Sequence, residues 1–352
     1  MSLRPIYGHQ ALQHRLAGVL ASSRFPQAAL LVGPPGVGKQ RLALWIAQGL
    51  LCQAGPGAPC GECSSCRQAL GLQHPDLHWF VPIQRPKAGD PDKQVEEARE
   101  SLGAAMEERR RDPLWQRSEG MASHPLASVR LLHRLVSVTP FSGSRKVLVL
   151  GEAERLVVQE SSPEAANALL KVLEEPPEDT TLILTAADPE ALLPTIRSRL
   201  VSLRVPRVAD EEVRRFLSTE LDPPLKSSAL ERRTLLAEGS IGMALWMTGE
   251  TEGPDRRAGE LLAAVAGGAG DWASRALAQP TWSARGDFTA LLDALAVRLR
   301  AGLEESAGDA EGRLEGRLEA LRRVEEARAA AQGNVNPQLT LAVLASDLER
   351  LL

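Results

Sequence analysis

The stretch that most constrains this chain is Gly33-Pro34-Pro35-Gly36-Val37-Gly38-Lys39-Gln40. Before it, Ala28-Ala29-Leu30-Leu31-Val32 reads as a strand; after it, Arg41-Leu42-Ala43-Leu44-Trp45-Ile46-Ala47 reads as the start of a helix. Strand, glycine loop and helix form the setting in which a Walker A pattern becomes a physical phosphate site. Gly33, Gly36 and Gly38 let backbone N–H groups turn inward around phosphate oxygens, and Lys39 would reach the β- and γ-phosphates. The pattern then asks for Ser or Thr, whose hydroxyl ligates Mg2+. Here Gln40 stands instead, and its side-chain carbonyl is a longer, poorer ligand. The loop is built to hold phosphate but ill-equipped to hold the metal, and the motif alone leaves nucleotide binding open.

A second loss lies further on. Lys146-Val147-Leu148-Val149-Leu150 reads as a buried strand, and Gly151-Glu152 follows it. In a working NTPase such a strand ends in Asp-Glu, the Asp holding Mg2+ and the Glu orienting the attacking water. Gly151 takes the Asp position while Glu152 remains. Two independent losses on one metal argue that Mg2+-dependent hydrolysis has been abandoned. Further strand signals fall at 74–81, 180–185 and 200–205, with a helix over 163–175 stopped by Pro176-Pro177. Five short strands separated by helices, behind a phosphate loop, predict an α/β fold built on a parallel sheet.

All four cysteines fall between Cys52 and Cys66, as Cys52, Cys60, Cys63 and Cys66. Two overlapping C-x2-C hooks let thiolates converge on one tetrahedral ion, which predicts a closed, structural zinc site. The alternatives are four reduced thiols, or disulfides, which a reducing compartment disfavours. His74 and His78 lie nearby, but a full set of four sulfurs leaves them an ordinary surface or packing role.

The segment 84–123 is a polar insert. Lys87 to Lys93 reads as loop and Val95 to Arg111 as a charged helix, with Arg109-Arg110-Arg111 a solvated helix end rather than a DNA patch. Val129 to Val138 reads as the helix that follows. From Pro206 the strand signals stop. Asp210–Glu220, Ser227–Ala237 and Ile241–Met247 read as three short amphipathic helices, with Ser240 as an N-cap. Thr251-Glu252-Gly253-Pro254 reads as a linker, and apolar spacings of three and four beyond it predict a helical bundle. Asn336-Pro337 reads as a cap followed by proline at the first helical position. The domain reading is 1–205, 206–250 and 255–352. The chain has 352 residues and a net charge of −4, so it is no globally basic nucleic-acid binder. No stretch reads as a signal peptide or a membrane span, which points to the cytoplasm.

Together these residues resemble the bacterial clamp-loader AAA+ family. The resemblance is carried by Gly33 to Lys39, the four cysteines behind the loop's helix and His74-Pro75-Asp76. It is carried also by Glu164 to Pro177, close to the family's Glu-Ala-Ala-Asn-Ala-Leu-Leu-Lys-x-Leu-Glu-Glu-Pro-Pro, and by Ser198-Arg199. The end, Asn334 to Leu339, looks like the family's last collar helix. There are departures. The family's Ser-Arg-Cys is Ser198-Arg199-Leu200, and the first cysteine gap is one residue shorter than usual. The polar first sensor falls at Ala186-Ala187, and the second sensor arginine is replaced by Gly242.

The resemblance implies a RecA-like AAA+ domain, a three-helix lid and an all-α collar. It implies a non-hydrolysing subunit of a hetero-pentameric ring, with structural zinc and with ATP weakly held or absent. Gly33, Gly36, Gly38, Lys39, Gln40 and Glu152 would form a degenerate nucleotide site. Partners would be the other loader subunits, with the sliding clamp and primer-template DNA reached through the complex, and no membrane. Arg199 would be an arginine finger offered in trans to a neighbouring ATPase; the plainer alternative is an ion pair with an acid such as Glu190. Two other functions stay in view. One is an active AAA+ ATPase, supported by Gly33, Gly38, Lys39 and Glu152. The other is a zinc-dependent nucleic-acid binder, opposed by the net charge.

Overall fold

A computed structural model describes residues 3–112, 122–156, 163–246, 254–268, 271–278, 285–305, 311–331 and 335–352. Helix α1 (Gln10–Ala21) precedes strand β1 (Ala28–Val32), and α2 (Lys39–Leu50) follows the glycine loop. Then come α3 (Ser64–Leu70), β2 (Leu77–Phe80), α4 (Pro91–Arg111), α5 (Leu126–Val136) and β3 (Lys146–Leu150). The α/β part closes with α6 (Glu164–Glu174), β4 (Thr180–Ala186), α7 (Pro194–Arg197) and β5 (Val201–Arg204). The five strands form one parallel sheet in the order β2-β3-β4-β1-β5. β3 and β4 are buried throughout, as strands covered on both faces must be, and are apolar or small except for Lys146 at the head of β3, whose Nζ donates to the Leu135 and Val136 carbonyls. The order sets β4 between β1 and β3, so the carboxyl ends of these three strands lie side by side. That edge of an open parallel sheet is where ligands bind.

The insert is more ordered than its composition suggests. Ile83 and Ser123 form an isolated antiparallel bridge across its ends. Asp90 caps α4, its Oδ1 accepting from the N–H groups of Asp92 and Lys93 at 3.0 Å, with Pro91 in the first turn. The helix therefore begins inside the stretch read as loop, because an Asp-Pro pair is a start signal. Arg109 corrects the solvated-end reading: it is buried, with its guanidinium 5.1 Å from the Trp79 ring centroid. Arg110 reaches the Leu72 carbonyl, and only Arg111 behaves as expected, pairing with Glu107 on an exposed face. Insert residues 113–121 lie outside the described residues.

The chain up to Leu245 packs, over its described residues, as one compact unit. Within it α8 (Asp210–Glu220), α9 (Ser227–Leu236) and α10 (Ile241–Trp246) surround a small core of Val208, Val213, Phe216, Leu217, Ala237 and Ala244. The N-terminal segment straps this helical part down. Tyr7 donates to Glu220 at 2.6 Å, Arg4 pairs with Glu220 at 3.2 Å, and the Gly8 N–H donates to Glu212 at 3.0 Å.

The second unit is all helical: α11 (Pro254–Gly267), α12 (Asp271–Ala278), α13 (Arg285–Glu305), α14 (Glu311–Ala331) and α15 (Pro337–Leu351). Phe288, Leu292, Leu295, Val324, Leu344 and Leu348 lie in its core. Asn336 caps α15 as read, accepting from the Gln338 N–H at 2.9 Å with Pro337 next. Met247, linker residues 251–253 and Asn334 lie outside the described residues. No described helix is long and apolar enough to cross a membrane.

Candidate functional site

The glycine loop leaves the carboxyl end of β1 and enters α2 with Gly36 and Gly38 at φ 74° and 97°, conformations glycine adopts freely. Gly33 is needed for closeness: a Cβ there would lie 2.1 Å from the Val205 carbonyl oxygen. Within this loop the groups expected to meet nucleotide are turned to other partners. The Lys39 Nζ donates to the loop's own Gly33 and Pro34 carbonyls at 2.7 and 2.8 Å. Gln40 points at Gly151, where an added Cβ would meet Gln40 Oε1 at 2.5 Å and Cδ at 2.7 Å. The glutamine amide fills the space that an aspartate side chain would occupy, and its buried Oε1 has no hydrogen-bond partner among the described residues. Glu152 sits in a left-handed turn at φ 54°, donates its N–H to Thr185 Oγ1 and pairs its carboxylate with Arg155 at 2.8 Å. Sequence reading missed His124. It is fully buried, which pushes its imidazole down to about 4, so the neutral ring donates from Nε2 to the Gly151 carbonyl at 2.7 Å.

The helical lid rests on the same loop. The Gly242 N–H donates to the Gly36 carbonyl at 2.9 Å, and Ser240 Oγ donates to the Pro35 carbonyl at 2.8 Å. Ser240 also caps α10 as read, accepting from the Met243 N–H at 3.2 Å. Side chains are excluded on both sides of this contact. A Cβ on Gly242 would lie 2.6 Å from the Gly36 Cα, and one on Gly36 would lie 2.3 Å from Ser240 Oγ. The absence of a side chain at Gly242 is thus what lets α10 seat on the loop. Because the clash is with backbone, Gly242→Ala is expected to destabilise the first unit by about 1–3 kcal/mol. Urea denaturation would check this, and an unchanged midpoint would mean that the lid does not sit so close.

The four cysteines converge. Their sulfurs all lie within 4.8 Å of one another, with Cys52–Cys63 at 4.0 Å and Cys60–Cys66 at 3.9 Å. Tetrahedral bonds of about 2.3 Å would set sulfurs about 3.8 Å apart, so the set can hold a metal ion with little movement. The cluster is built locally. Cys63 is the N-cap of α3, and its sulfur accepts from the Cys66 N–H at 3.4 Å, while the Cys63 N–H donates to Cys60 Sγ at 3.4 Å. Burial would raise Cys63, but the N–H groups of Cys66 and Gln53 outweigh it and bring the thiol to about 6. Burial pushes Cys66 up to about 12. A central dication makes four adjacent thiolates compatible. His74 packs as read, Nε2 against Ser65 Oγ at 2.9 Å and Nδ1 accepting the Asp76 N–H at 3.0 Å. Asp76 accepts from Phe141 and Ser142, so the His-Pro-Asp stretch is a brace for the loop before β3.

Arg199 lies between α7 and β5, part exposed, well away in sequence from the loop. It pairs with Glu174 at the end of α6, while Glu190, the acid singled out from sequence, pairs with Arg197.

The family described as "DNA polymerase III, delta subunit" matches residues 8–209. The delta' subunit of DNA polymerase III from Pseudomonas aeruginosa is 35% identical over 234 residues, 66% of this chain and 57% of that relative. The delta' subunit from Yersinia pestis is 32% identical, over 53% of this chain and 43% of the relative. The tau subunit from Escherichia coli is 30% identical, over 69% of this chain and 32% of the relative. The matches thus span little more than half of these relatives' length, or less. The family match runs from just before α1 to the entry of the lid, taking in the phosphate loop, the cysteine cluster and Arg199. On that span the chain belongs to the DNA polymerase III delta-subunit family of clamp-loader proteins.

Proposed function

We propose that this chain is a non-hydrolysing, delta-prime-type subunit of a DNA polymerase III clamp loader. It helps ATP-driven loading of the sliding clamp onto primer-template DNA without turning over ATP itself. One observation carries the reading: Gln40 and Gly151 fit each other, the amide of one filling the space left by the missing carboxylate of the other. Both metal ligands of a hydrolysing site are gone, and a neighbouring side chain stands where one of them belonged. Lys39 turned to its own loop, Glu152 paired with Arg155 and the lid seated on Gly36 support the same reading. Residues 206–250 serve as the lid, and 255–352 as the collar that joins the other subunits of a hetero-pentameric ring in the cytoplasm. The cysteine cluster holds one structural Zn2+, since four thiolates leave no open position for chemistry. Arg199 is the finger offered to the neighbouring ATPase.

The purified chain is expected to hydrolyse no ATP above background, with or without Mg2+. Measured phosphate release that disappears in the Lys39→Ala variant would overturn the reading and make the chain an active AAA+ ATPase. Weak nucleotide binding by the loop amides would leave it standing.

A further inference from the structure

Arg199 is not carried on a free stem. Its Nη2 donates to Glu174 Oε1 at 2.7 Å and its Nη1 to the Thr195 carbonyl at 2.8 Å, with a longer contact of 3.5 Å to Ser198 Oγ. Glu174 is the last residue of α6 and Thr195 belongs to α7, so two separate elements hold the guanidinium. The other arginine of the segment, Arg197, is drawn to Glu190 instead. The two cations two residues apart are thus sorted to different acids.

The Arg199–Glu174 pair is open to water, with side chains 34% and 49% exposed. An ion pair that exposed adds little to stability. Orientation is what it can contribute. Arginine carries much rotamer freedom, and a fork already set in one plane loses less when it meets its target. A guanidinium has five N–H donors, of which Glu174 and Thr195 take two. Donors therefore remain for phosphate oxygens, and the long Ser198 contact is the first to be exchanged.

We infer that Glu174 is a positioning residue for Arg199: it sets the fork before the neighbouring site arrives and keeps one edge of it while the other meets phosphate. The inference rests on the reading of Arg199 as a finger in trans. It assigns a use to Glu174, at the end of α6.

The test uses the full chain reconstituted with the ATP-hydrolysing subunits of a DNA polymerase III clamp loader. Glu174→Ala is expected to lower the kcat of the dependent site about fivefold, the ratio an exposed pair can sustain, with KM for ATP little changed. Glu174→Gln keeps an acceptor oxygen and is expected to recover most of the rate. The double variant Glu174→Ala/Arg199→Ala is expected to be no slower than Arg199→Ala alone, because Glu174 acts only through Arg199. Thermal midpoints of the isolated variants should match the parent. Unchanged or faster turnover in Glu174→Ala would overturn the inference. So would an additive loss in the double variant, or equal loss in Glu174→Gln with a lowered midpoint. Full activity in Arg199→Ala is a different result: it removes the finger itself.

Discussion

Arg199→Ala is expected to leave the loader assembled and to impair both its ATP turnover and clamp loading. On the proposed reading this chain's own site, with Gln40 and Gly151 at its metal positions, carries out no hydrolysis, so Arg199 has none to serve there. Guanidinium suits the neighbour's task, being always charged and presenting a planar fork of donors to phosphate oxygens. Fingers supplied in trans are worth roughly 10³–10⁵ in rate at the site they serve. Only one site of the ring would depend on this chain, so the whole complex should lose less than that. Arg199 is exposed and its pair with Glu174 is at the surface, so the variant should fold normally. Arg197→Ala is the matched control: it removes a guanidinium two residues away, one that pairs with Glu190, and should do much less. Steady-state phosphate release by the reconstituted complex, with a clamp-loading assay beside it, reads both. Full activity in Arg199→Ala would leave the chain a passive scaffold.

Loss of metal from the cysteine cluster is expected to be the largest effect on stability. Elemental analysis of the purified chain should find about one zinc per molecule. Binding to a structural thiolate site is folding free energy, because the site does not exist in the unfolded chain. Here the cluster closes the loop from Cys52 to α3, and α3 is tied to the rest of the unit at several points. Gln48 donates to the Cys66 carbonyl, Ser65 to the Leu51 carbonyl, and the Leu3 N–H to the Leu70 carbonyl. Cys63→Ser removes a ligand while its hydroxyl can still cap α3, and is expected to cost more than about 4 kcal/mol, in the range that marks loss of a metal. The sheet core is built of other residues, so far-UV circular dichroism should be largely kept while the thermal midpoint falls. Recovery of a zinc-free chain with four freely modifiable thiols and an unchanged midpoint would sink the zinc assignment.

The parts legible in the sequence share one property: they are local. The apolar runs of β1, β3 and β4, the glycine loop and the helix behind it sit in consecutive residues, and their periods declare them. The cysteine cluster is local too, since its four ligands all lie between Cys52 and Cys66 and the C-x2-C spacing is itself a ligand pattern. Asn336-Pro337 and Ser240 announced their helix starts for the same reason: a cap needs only its next three residues. The Asp90-Pro91 start of α4 is equally local, and was hidden only by the charged stretch around it.

What the residues one by one could not show arises between elements far apart in the chain. Arg109 reads as one of three charges at a helix end until the fold sets its guanidinium over the Trp79 ring of β2. Gln40 and Gly151 each read as a lost metal ligand. Only the sheet order, which brings the ends of β1 and β3 to either side of β4, makes the first fill the space of the second. Gly242 reads as a missing sensor, yet in the fold it is the one residue type that lets α10 touch Gly36. Glu190 and Glu174 are both acids near Arg199, and chain distance favours Glu190; the packing of α6 against α7 gives Arg199 to Glu174 instead. Periodicity, caps and ligand spacing need only neighbours along the chain, so composition and order settle them. Which side chain fills which space depends on distances of a few ångströms between separate elements, and those distances exist only once the sheet has formed and the helices have packed on it.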